Sequence, residues 1–326
     1  FDLVSREILL LSNNVILVVA AASVFLGTLF PMVYQAITDD LISIGPPYFN
    51  VIFIPLMGLL SLLLAIGPFT RWKRTSVSYL VEQLTKVALA ALALGVVLPL
   101  IVTFRFSLPA TIAVAIGSWI VLAMLQDFAN KTANKATLLK GLRALSYSYY
   151  GMQAAHMGLA VMLIGVALTS TFSSERSVLL SPGEEIELSN YVFQFEGTTP
   201  INGPNYIGEQ ASFTVLKDGD EIAVLHPESR IYLATNTPST EMAIDAGLLR
   251  DLFITLGEQK EGDSWSMTVY VKPFVRWVWL GALFMTFGGI LAAADKRYRR
   301  LRRRQTDASK QQDKSKPLGG ELQPSS

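Results

Sequence analysis

The chain has 326 residues, of which 51% are hydrophobic and only 16% are charged, and its formal net charge at pH 7 is +1. Soluble domains usually contain roughly 25% charged residues, so this composition argues against a soluble globular protein and favours a membrane protein. Cysteine is absent, which excludes structural disulfides, CxxC redox chemistry and thiolate metal ligands within this chain.

The first segment, residues 1–11, is predicted to form a helix that lies against the cytoplasmic face of the membrane. Phe1 is not an initiator methionine, and no signal peptide with a basic start and a cleavage site is recognisable there. We therefore expect this chain to be the later part of a longer protein or the product of a split gene.

Six apolar segments each contain about 20 residues, the length needed to cross about 30 Å of hydrocarbon. Three prolines, Pro31, Pro55 and Pro99, lie in or at the ends of these segments, where neighbouring helices can satisfy the freed backbone groups. The sequence thus predicts an α-helical membrane protein with five spans in residues 1–171 and a sixth in residues 273–295. The predicted spans are 14–36, 48–68, 84–104, 108–127, 150–171 and 274–294.

Basic residues are concentrated in three of the connections between these spans. Short loops rich in Lys and Arg stay in the cytoplasm, so we expect these connections and both termini of this chain to be cytoplasmic. The stretch between the fifth and sixth spans then lies on the outer face of the membrane. The basic residues are Arg71, Lys73 and Arg74, then Lys131, Lys135, Lys140 and Arg143, and finally seven residues within 296–304.

The outer stretch, residues 172–272, contains sixteen acidic and six basic residues. Apolar and polar residues alternate in 191–196, 211–216 and 265–271, and Asp218-Gly219-Asp220 is typical of a hairpin turn. We predict an inserted β-rich domain, in the form of a partly open barrel, whose middle part from Glu241 to Gly257 is more helical or irregular. The polar, basic tail 296–326 is predicted to be disordered.

A single histidine, His156, lies inside the fifth apolar segment. An ionisable side chain is costly to hold in hydrocarbon, so it marks a functional site by default, and a metal is its best partner. On a helix, Met152, Ala160 and Leu163 share its face and form an apolar wall that could face a porphyrin. The alternative is a packing residue that hydrogen-bonds to a neighbouring helix.

Other conspicuous residues have simpler explanations. Glycines recur at 151, 158 and 165 on the opposite side of the same helix, which predicts close helix packing. The second histidine, His226, is interpreted as an exposed loop or strand-end residue of the outer domain. Phe274, Arg276, Trp277 and Trp279 are interpreted as anchors at the outer membrane surface, and Trp119 as a packing residue.

Neither a Walker A loop nor a GxGxxG motif occurs, so we expect no nucleotide site and no nucleic-acid partner. We expect membrane lipid to surround the apolar spans.

Five blocks of sequence, spread in order over nearly the whole chain, resemble the C-terminal half of CcmF, the cytochrome c haem lyase of the CcmF/NrfE/CcsA-type cytochrome c biogenesis family. They are SREILLLSNN from Ser5, SIGPPYFN from Ser43, YGMQAAHMGLAVMLIGVA from Tyr150, EMAIDAGLLRDLFITLGE from Glu241 and VKPFVRWVWLGAL from Val271.

The resemblance implies a multi-pass protein of the bacterial inner membrane with residues 172–272 in the periplasm. Such proteins accept haem as substrate from the haem chaperone CcmE and attach it to apocytochrome c, which CcmH and CcmI present. They also hold a structural b-type haem (haem b) between two membrane histidines. His156 matches the second of these, so the resemblance makes it an axial ligand of the haem iron, with its other ring nitrogen donating a hydrogen bond.

This sequence also departs from the family pattern. The tryptophan-rich segment that helps to bind the incoming haem, the two periplasmic histidines beside it and the first membrane histidine are all missing. Met152 is one turn away on the same helix and cannot reach the opposite side of the iron. We therefore expect the chain to be inactive by itself and to need the N-terminal part of the same lyase.

Two other classes of function remain open from the residues alone. One is a non-catalytic membrane scaffold whose acidic domain recruits maturation partners. The other is a transporter, which is expected to show inverted repeats or paired charges inside the spans, whereas we find only His156 and Lys86 there.

Overall fold

The computed structural model describes residues 4–133, 137–260 and 262–295, apart from the side chain of residue 138. The basic tail predicted to be disordered, residues 296–326, lies outside these described residues, as does Lys135. Within them the chain forms a set of long helices and one β domain inserted before the last helix.

Six long apolar helices account for the predicted spans, and each is long enough to cross a membrane. Pro31, Pro55 and Pro99 all lie inside helices, as their positions within apolar runs suggested. The membrane-spanning helices are α1 Arg6–Thr38, α2 Pro46–Ile66 with a 3-10 turn at Gly67–Phe69, α3 Val77–Thr103, α4 Leu108–Thr132, α6 Tyr147–Phe172 and α7 Val275–Ala293; the short α5 spans Leu138–Ala144.

The prediction of a separate surface helix in residues 1–11 is wrong for the described part of that segment. A single helix runs from Arg6 to Thr38, and its 33 residues correspond to roughly 50 Å of length. No glycine or proline interrupts the start of this helix, and the Ser5 side chain caps it by accepting a hydrogen bond from the Ile8 N–H. The Arg6 N–H also donates to the Arg71 carbonyl, which ties the start of α1 to the loop after α2.

Helix α6 is packed closely against α7 through glycine. A Cβ atom added at Gly158 would stand 2.6 Å from the Gly281 carbonyl oxygen, and one at Gly151 would stand 2.5 Å from that of Gly288. Contacts this short leave no room for a side chain, so the two backbones touch along the whole glycine stripe. The predicted role of the glycines at 151, 158 and 165 in close helix packing is confirmed.

The β domain contains two antiparallel sheets. One has four strands in the order β1-β10-β9-β8, and the other has the order β2-β3-β4-β6-β7 with β5 also paired to β4. The strands therefore form a two-sheet sandwich instead of a single, partly open barrel. Their bounds are β1 Ser174–Leu180, β2 Glu185–Leu188, β3 Tyr191–Asn202, β4 Tyr206–Lys217, β5 Asp220–Leu225, β6 Glu228–Tyr232, β7 Thr237–Glu241, β8 Ala243–Ala246, β9 Arg250–Gln259 and β10 Trp265–Pro273.

The interior of the sandwich explains both the correct strand predictions and the wrong one. Phe195 and Phe213 stack at 5.1 Å between ring centroids and belong to a core shared by both sheets. The segment from Glu241 to Gly257, predicted to be helical or irregular, instead forms β8 and most of β9. In β9 the residues Leu252, Ile254 and Leu256 are fully buried at alternate positions, and β9 pairs with β10. This burial and pairing outweigh the helix-forming composition of the segment.

The β domain is joined to the membrane helices by two adjacent segments of chain. Helix α6 ends at Phe172 and β1 begins at Ser174, while β10 ends at Pro273 and leads into α7. The Thr169 hydroxyl donates a hydrogen bond of 2.6 Å to the Pro273 carbonyl, which fastens the end of α6 to the start of α7. The packing of α6 on α7 therefore also fixes where the domain leaves the membrane.

Replacing Gly158 with Ala should force α6 and α7 apart, since the new methyl group would overlap the Gly281 carbonyl. We expect a destabilisation of about 1–3 kcal/mol, the usual cost of overpacking, measured as a lower midpoint of thermal unfolding in detergent. Gly289→Ala on α7 is the matched control, because nothing lies within 4 Å of the added Cβ. Equal midpoints for the two variants would contradict the packing described here.

Candidate functional site

His156 lies at the interface between α6 and α4. Its side chain is half-buried, and its Nδ1 atom is 3.4 Å from the Sδ atom of Met124 on α4. Met124 itself is only 1% exposed. Among the described residues, Nε2 of His156 has no hydrogen-bond partner, so this nitrogen is available to a ligand.

Below His156 on the same face of α6, polar side chains form a row that is bonded to α4. The Tyr149 hydroxyl donates a hydrogen bond of 2.8 Å to Oδ2 of Asp127. Nε2 of Gln153 donates to the Tyr149 hydroxyl at 2.6 Å and to the same Asp127 oxygen at 3.3 Å. Lys131 completes the group with a 2.8 Å ion pair to Asp127. This Asp127 cluster joins the two helices by four polar side chains.

The Asp127 cluster was missed by the sequence analysis, which placed Asp127 at the end of the fourth span. Helix α4 continues to Thr132, so Asp127 lies more than one turn before the end of the helix. The residue is only 4% exposed and packs against α6. The pairing of Asp127 with Lys131 at i, i+4 was visible in the sequence. Its burial was not, because that depends on which face of α6 packs against α4.

The residues around His156 fit a single axial ligand better than a metal site built by the protein. Among the described residues there is no group of three or more His, Cys, Asp or Glu side chains placed to hold a metal ion. A neutral imidazole with a free nitrogen is nevertheless a common axial ligand of haem iron. Met124 cannot serve as the opposite ligand, since its sulfur is already in contact with Nδ1 at the side of the ring.

The apolar wall predicted beside His156 is only partly open. Ala160 is completely buried, and a Cβ added at Gly117 of α4 would stand 3.3 Å from its carbonyl oxygen. Met152 and Leu163 are half-buried. This part of the predicted wall, at Ala160, is therefore covered by α4.

The aromatic residues near the outer end of α7 divide into two groups. Trp279 is 70% exposed and has the position of a membrane-interface anchor. Phe274 is instead 5% exposed and packs edge-on against Trp277 at 5.2 Å between ring centroids. These two residues fill the space between α4, α6 and α7, so the prediction that Phe274 is a surface anchor is wrong. Arg276 is about half exposed, 3.8 Å from an oxygen of Asp251.

The two remaining predicted positions are a packing residue and a surface histidine. Trp119 is half-buried, and its indole N–H donates to the Leu62 carbonyl at 3.3 Å, which joins α4 to α2. His226 is exposed in the short connection between β5 and β6. It belongs to the β domain, whereas His156 lies within α6, so the two histidines do not share a site.

Local hydrogen bonds lower the pKa of two carboxyls on the surface of the β domain. The hydroxyls of Thr214 and Ser212 donate to the carboxylate of Glu196, and these bonds lower the pKa of that carboxyl. The Lys260 ammonium 2.9 Å from Glu258 likewise lowers the pKa of the Glu258 carboxyl. The acidic character of the domain comes from its composition, since residues 172–272 contain sixteen acidic and six basic residues.

Residues 171–273 match the protein family described as CcmF C-terminal beta-sandwich. A cytochrome c-type biogenesis protein CcmF from Pseudomonas fluorescens is 49% identical over 300 residues, which make up 92% of this chain and 45% of that protein. The CcmF protein of Escherichia coli strain K12 is 38% identical over 296 residues, or 91% of this chain and 45% of that protein. This chain thus spans somewhat less than half the length of these relatives.

A solved structure of a cytochrome c heme lyase CcmF has a similar fold. The two superpose with a TM-score of 0.71 over 89% of this chain and 46% of that chain, at 23% sequence identity. At this identity the likeness establishes the arrangement of helices and sheets and nothing about individual site residues.

Replacing Asp127 with Ala should destabilise the protein, because the hydroxyl of Tyr149 and the amide of Gln153 lose their shared acceptor inside the helix interface. We expect a loss of about 1–3 kcal/mol, the usual cost of leaving buried polar groups unpaired. Thermal unfolding in detergent measures it. The control is Glu82→Ala, which removes an exposed carboxylate of α3 and should leave the midpoint unchanged. An unchanged midpoint for Asp127→Ala would show that the cluster does not hold α4 to α6.

Proposed function

We propose, on the premise that this chain matches the C-terminal half of the CcmF family, that it contributes to covalent haem attachment during cytochrome c maturation. In this proposal the complete protein is a cytochrome c haem lyase, and this chain supplies one half of its membrane domain together with an outer β domain. The observation that carries the proposal is the free Nε2 of His156, inside a membrane helix of a chain that matches CcmF over 92% of its length.

His156 is proposed as one axial ligand of a b-type haem held in the membrane. Among the described residues its Nε2 atom has no hydrogen-bond partner, and its side chain is half-buried. A haem bound there would supply a one-electron redox centre. The second axial ligand has to come from outside this chain, because its only other histidine, His226, lies in the β domain.

The depth of His156 separates this haem from the haem that is attached to the cytochrome. Phe172 lies sixteen residues after His156 on α6, which at about 1.5 Å per residue amounts to roughly 24 Å. The β domain begins directly after Phe172. A cofactor at His156 is therefore too deep to meet cysteine thiols on an outer protein, and its role is structural or is the supply of electrons.

The chemistry of attachment is the addition of a cysteine thiol across a haem vinyl group, with the iron kept ferrous. Such a step depends mainly on holding both groups in the correct geometry. We propose that the β domain provides docking surface for the partners, namely the haem chaperone CcmE, apocytochrome c and the CcmH and CcmI proteins. Its sixteen acidic and six basic residues favour partners with a basic face, since complementary charge sets encounter rate and register.

The charges of the loops support one assignment of the side of the membrane on which the β domain lies. We propose that residues 172–272 lie in the periplasm of a bacterium and that both termini of this chain are cytoplasmic. Alkaline phosphatase inserted at the Asp218–Gly219 turn should then be active, because this enzyme folds only outside the cytoplasm. The same enzyme inserted after Lys73, in the basic loop between α2 and α3, should be inactive. The opposite pattern would overturn the orientation and the docking surface with it.

The haem proposal is tested by replacing each histidine in turn in the chain assembled with the rest of the lyase. His156→Ala should abolish the b-type absorption in the reduced-minus-oxidised spectrum, since the iron loses the one histidine ligand that this chain is proposed to supply. His226→Ala is the matched control and should keep the full absorption.

Two outcomes of this experiment would contradict the proposal. Undiminished b-type absorption in the His156→Ala variant would end the assignment of His156 as a ligand. Loss of the absorption with full production of covalent holocytochrome would show that the haem is dispensable, and would favour the scaffold function over participation in catalysis.

A further inference from the structure

The contact between His156 and Met124 has a direction that follows from chemistry. A thioether sulfur accepts hydrogen bonds weakly and cannot donate them. The 3.4 Å separation between Nδ1 and Sδ is therefore a hydrogen bond only when Nδ1 carries the proton. In that tautomer Nε2 keeps its lone pair and is the nitrogen that can bind a metal.

From this geometry we propose that Met124 is a positioning residue that fixes the tautomer and orientation of the His156 ring through its thioether sulfur. The proposal rests on the proposed function, in which His156 binds haem iron. Metal-bound histidines commonly donate their second N–H to a carboxylate, a backbone carbonyl or water. Here the acceptor is a thioether, which is a weaker acceptor than any of these.

Met124 is held in place by its surroundings on both helices. Its side chain belongs to a buried cluster with Ile120, Ala123 and Ala160, and it is 1% exposed. Its backbone carbonyl accepts a hydrogen bond of 3.4 Å from Nε2 of Gln153, one turn before His156 on α6. The sulfur therefore cannot move away from the ring without disturbing the α4–α6 interface.

The Asp127 cluster fixes the same interface one turn further along. Nε2 of Gln153 contacts both the Met124 carbonyl and the Asp127 carboxylate, so it links the sulfur-bearing turn of α4 to the polar row on α6. This chain of contacts sets the rotation of α6 relative to α4. The result is that Nδ1 faces Met124, and Nε2 has no hydrogen-bond partner among the described residues.

The weakness of the Met124 thioether as an acceptor affects how much electron density His156 would give to the iron. The more strongly an acceptor pulls on the Nδ1 proton, the more electron density the imidazole gives to the iron, which favours the ferric state. Met124 therefore leaves His156 as a comparatively weak donor and keeps the ferrous state accessible. Replacing the sulfur with a better acceptor should lower the midpoint potential, and removing the acceptor should raise it.

The first test uses the assembled, haem-loaded lyase and a spectroelectrochemical titration of its b-type haem. We expect Met124→Gln, which offers an amide oxygen, to have a lower midpoint potential than the wild type, and Met124→Leu to have a higher one. Met157→Leu is the matched control, because it removes a half-buried thioether of α6 to which the ring makes no hydrogen bond among the described residues. Wild-type potentials in both Met124 variants, at full haem content, would overturn the proposal.

The second test needs no haem. The 326-residue chain contains only two histidines, so labelling with [15N]histidine and replacing His226 with Gln leaves one labelled ring, that of His156. The nitrogen chemical shifts should show the Nδ1–H tautomer in the chain that retains Met124, and a loss of that preference in Met124→Leu. An Nε2–H tautomer with Met124 present would refute the positioning role.

Together with the His156→Ala experiment, these two tests separate the failure of this inference from the failure of the proposed function. If His156→Ala retains the b-type haem, His156 is not a ligand and its positioning for haem by Met124 fails as well. If His156→Ala loses the haem but the tautomer and the potentials do not respond to Met124, the haem assignment stands and only the role of Met124 is overturned.

Discussion

Polar groups placed inside an apolar helix must find partners on a neighbouring helix, because lipid offers them none. This constraint acts most strongly on α6, which presents Tyr149, Gln153 and His156 to α4 on one face. Its opposite face carries the glycine stripe that packs against α7. The two requirements together fix the rotation of α6, and the direction in which the imidazole points follows from that rotation.

The same helix connects the helical part of the chain to the β domain. Helix α6 passes into β1 after Phe172, and the Thr169 hydroxyl is bonded to the Pro273 carbonyl at the point where the chain returns to the membrane. The β domain is thus inserted between two helices that are already in backbone contact. In the proposed lyase this arrangement would hold the acidic docking surface at a constant distance above the haem ligand.

The six spans were predictable from the sequence, because apolar length is sufficient to identify a membrane helix. Strands were predictable where apolar and polar residues alternate without interruption, as in Tyr191–Glu196. The segment from Glu241 to Gly257 failed because alanine, leucine and glutamate favour helix locally, while pairing with β10 and burial of Leu252 and Ile254 decide the outcome. The partner strand β10 lies outside this segment, so the composition of the segment by itself did not reveal the pairing.

For the candidate site, the sequence identified His156 but neither Met124 nor Asp127. Each of these two residues is ordinary by itself, and each matters because α4 places it against one particular turn of α6.

In the proposed lyase, this chain provides one axial haem ligand and a second polypeptide segment provides the other. The direct measurement is the b-type haem content of residues 1–326, purified alone and after co-expression with a polypeptide that carries the tryptophan-rich segment and its histidines. The account predicts weak binding by the chain alone and full, His156-dependent binding after co-expression, whereas a full complement of six-coordinate haem in the chain alone would contradict it.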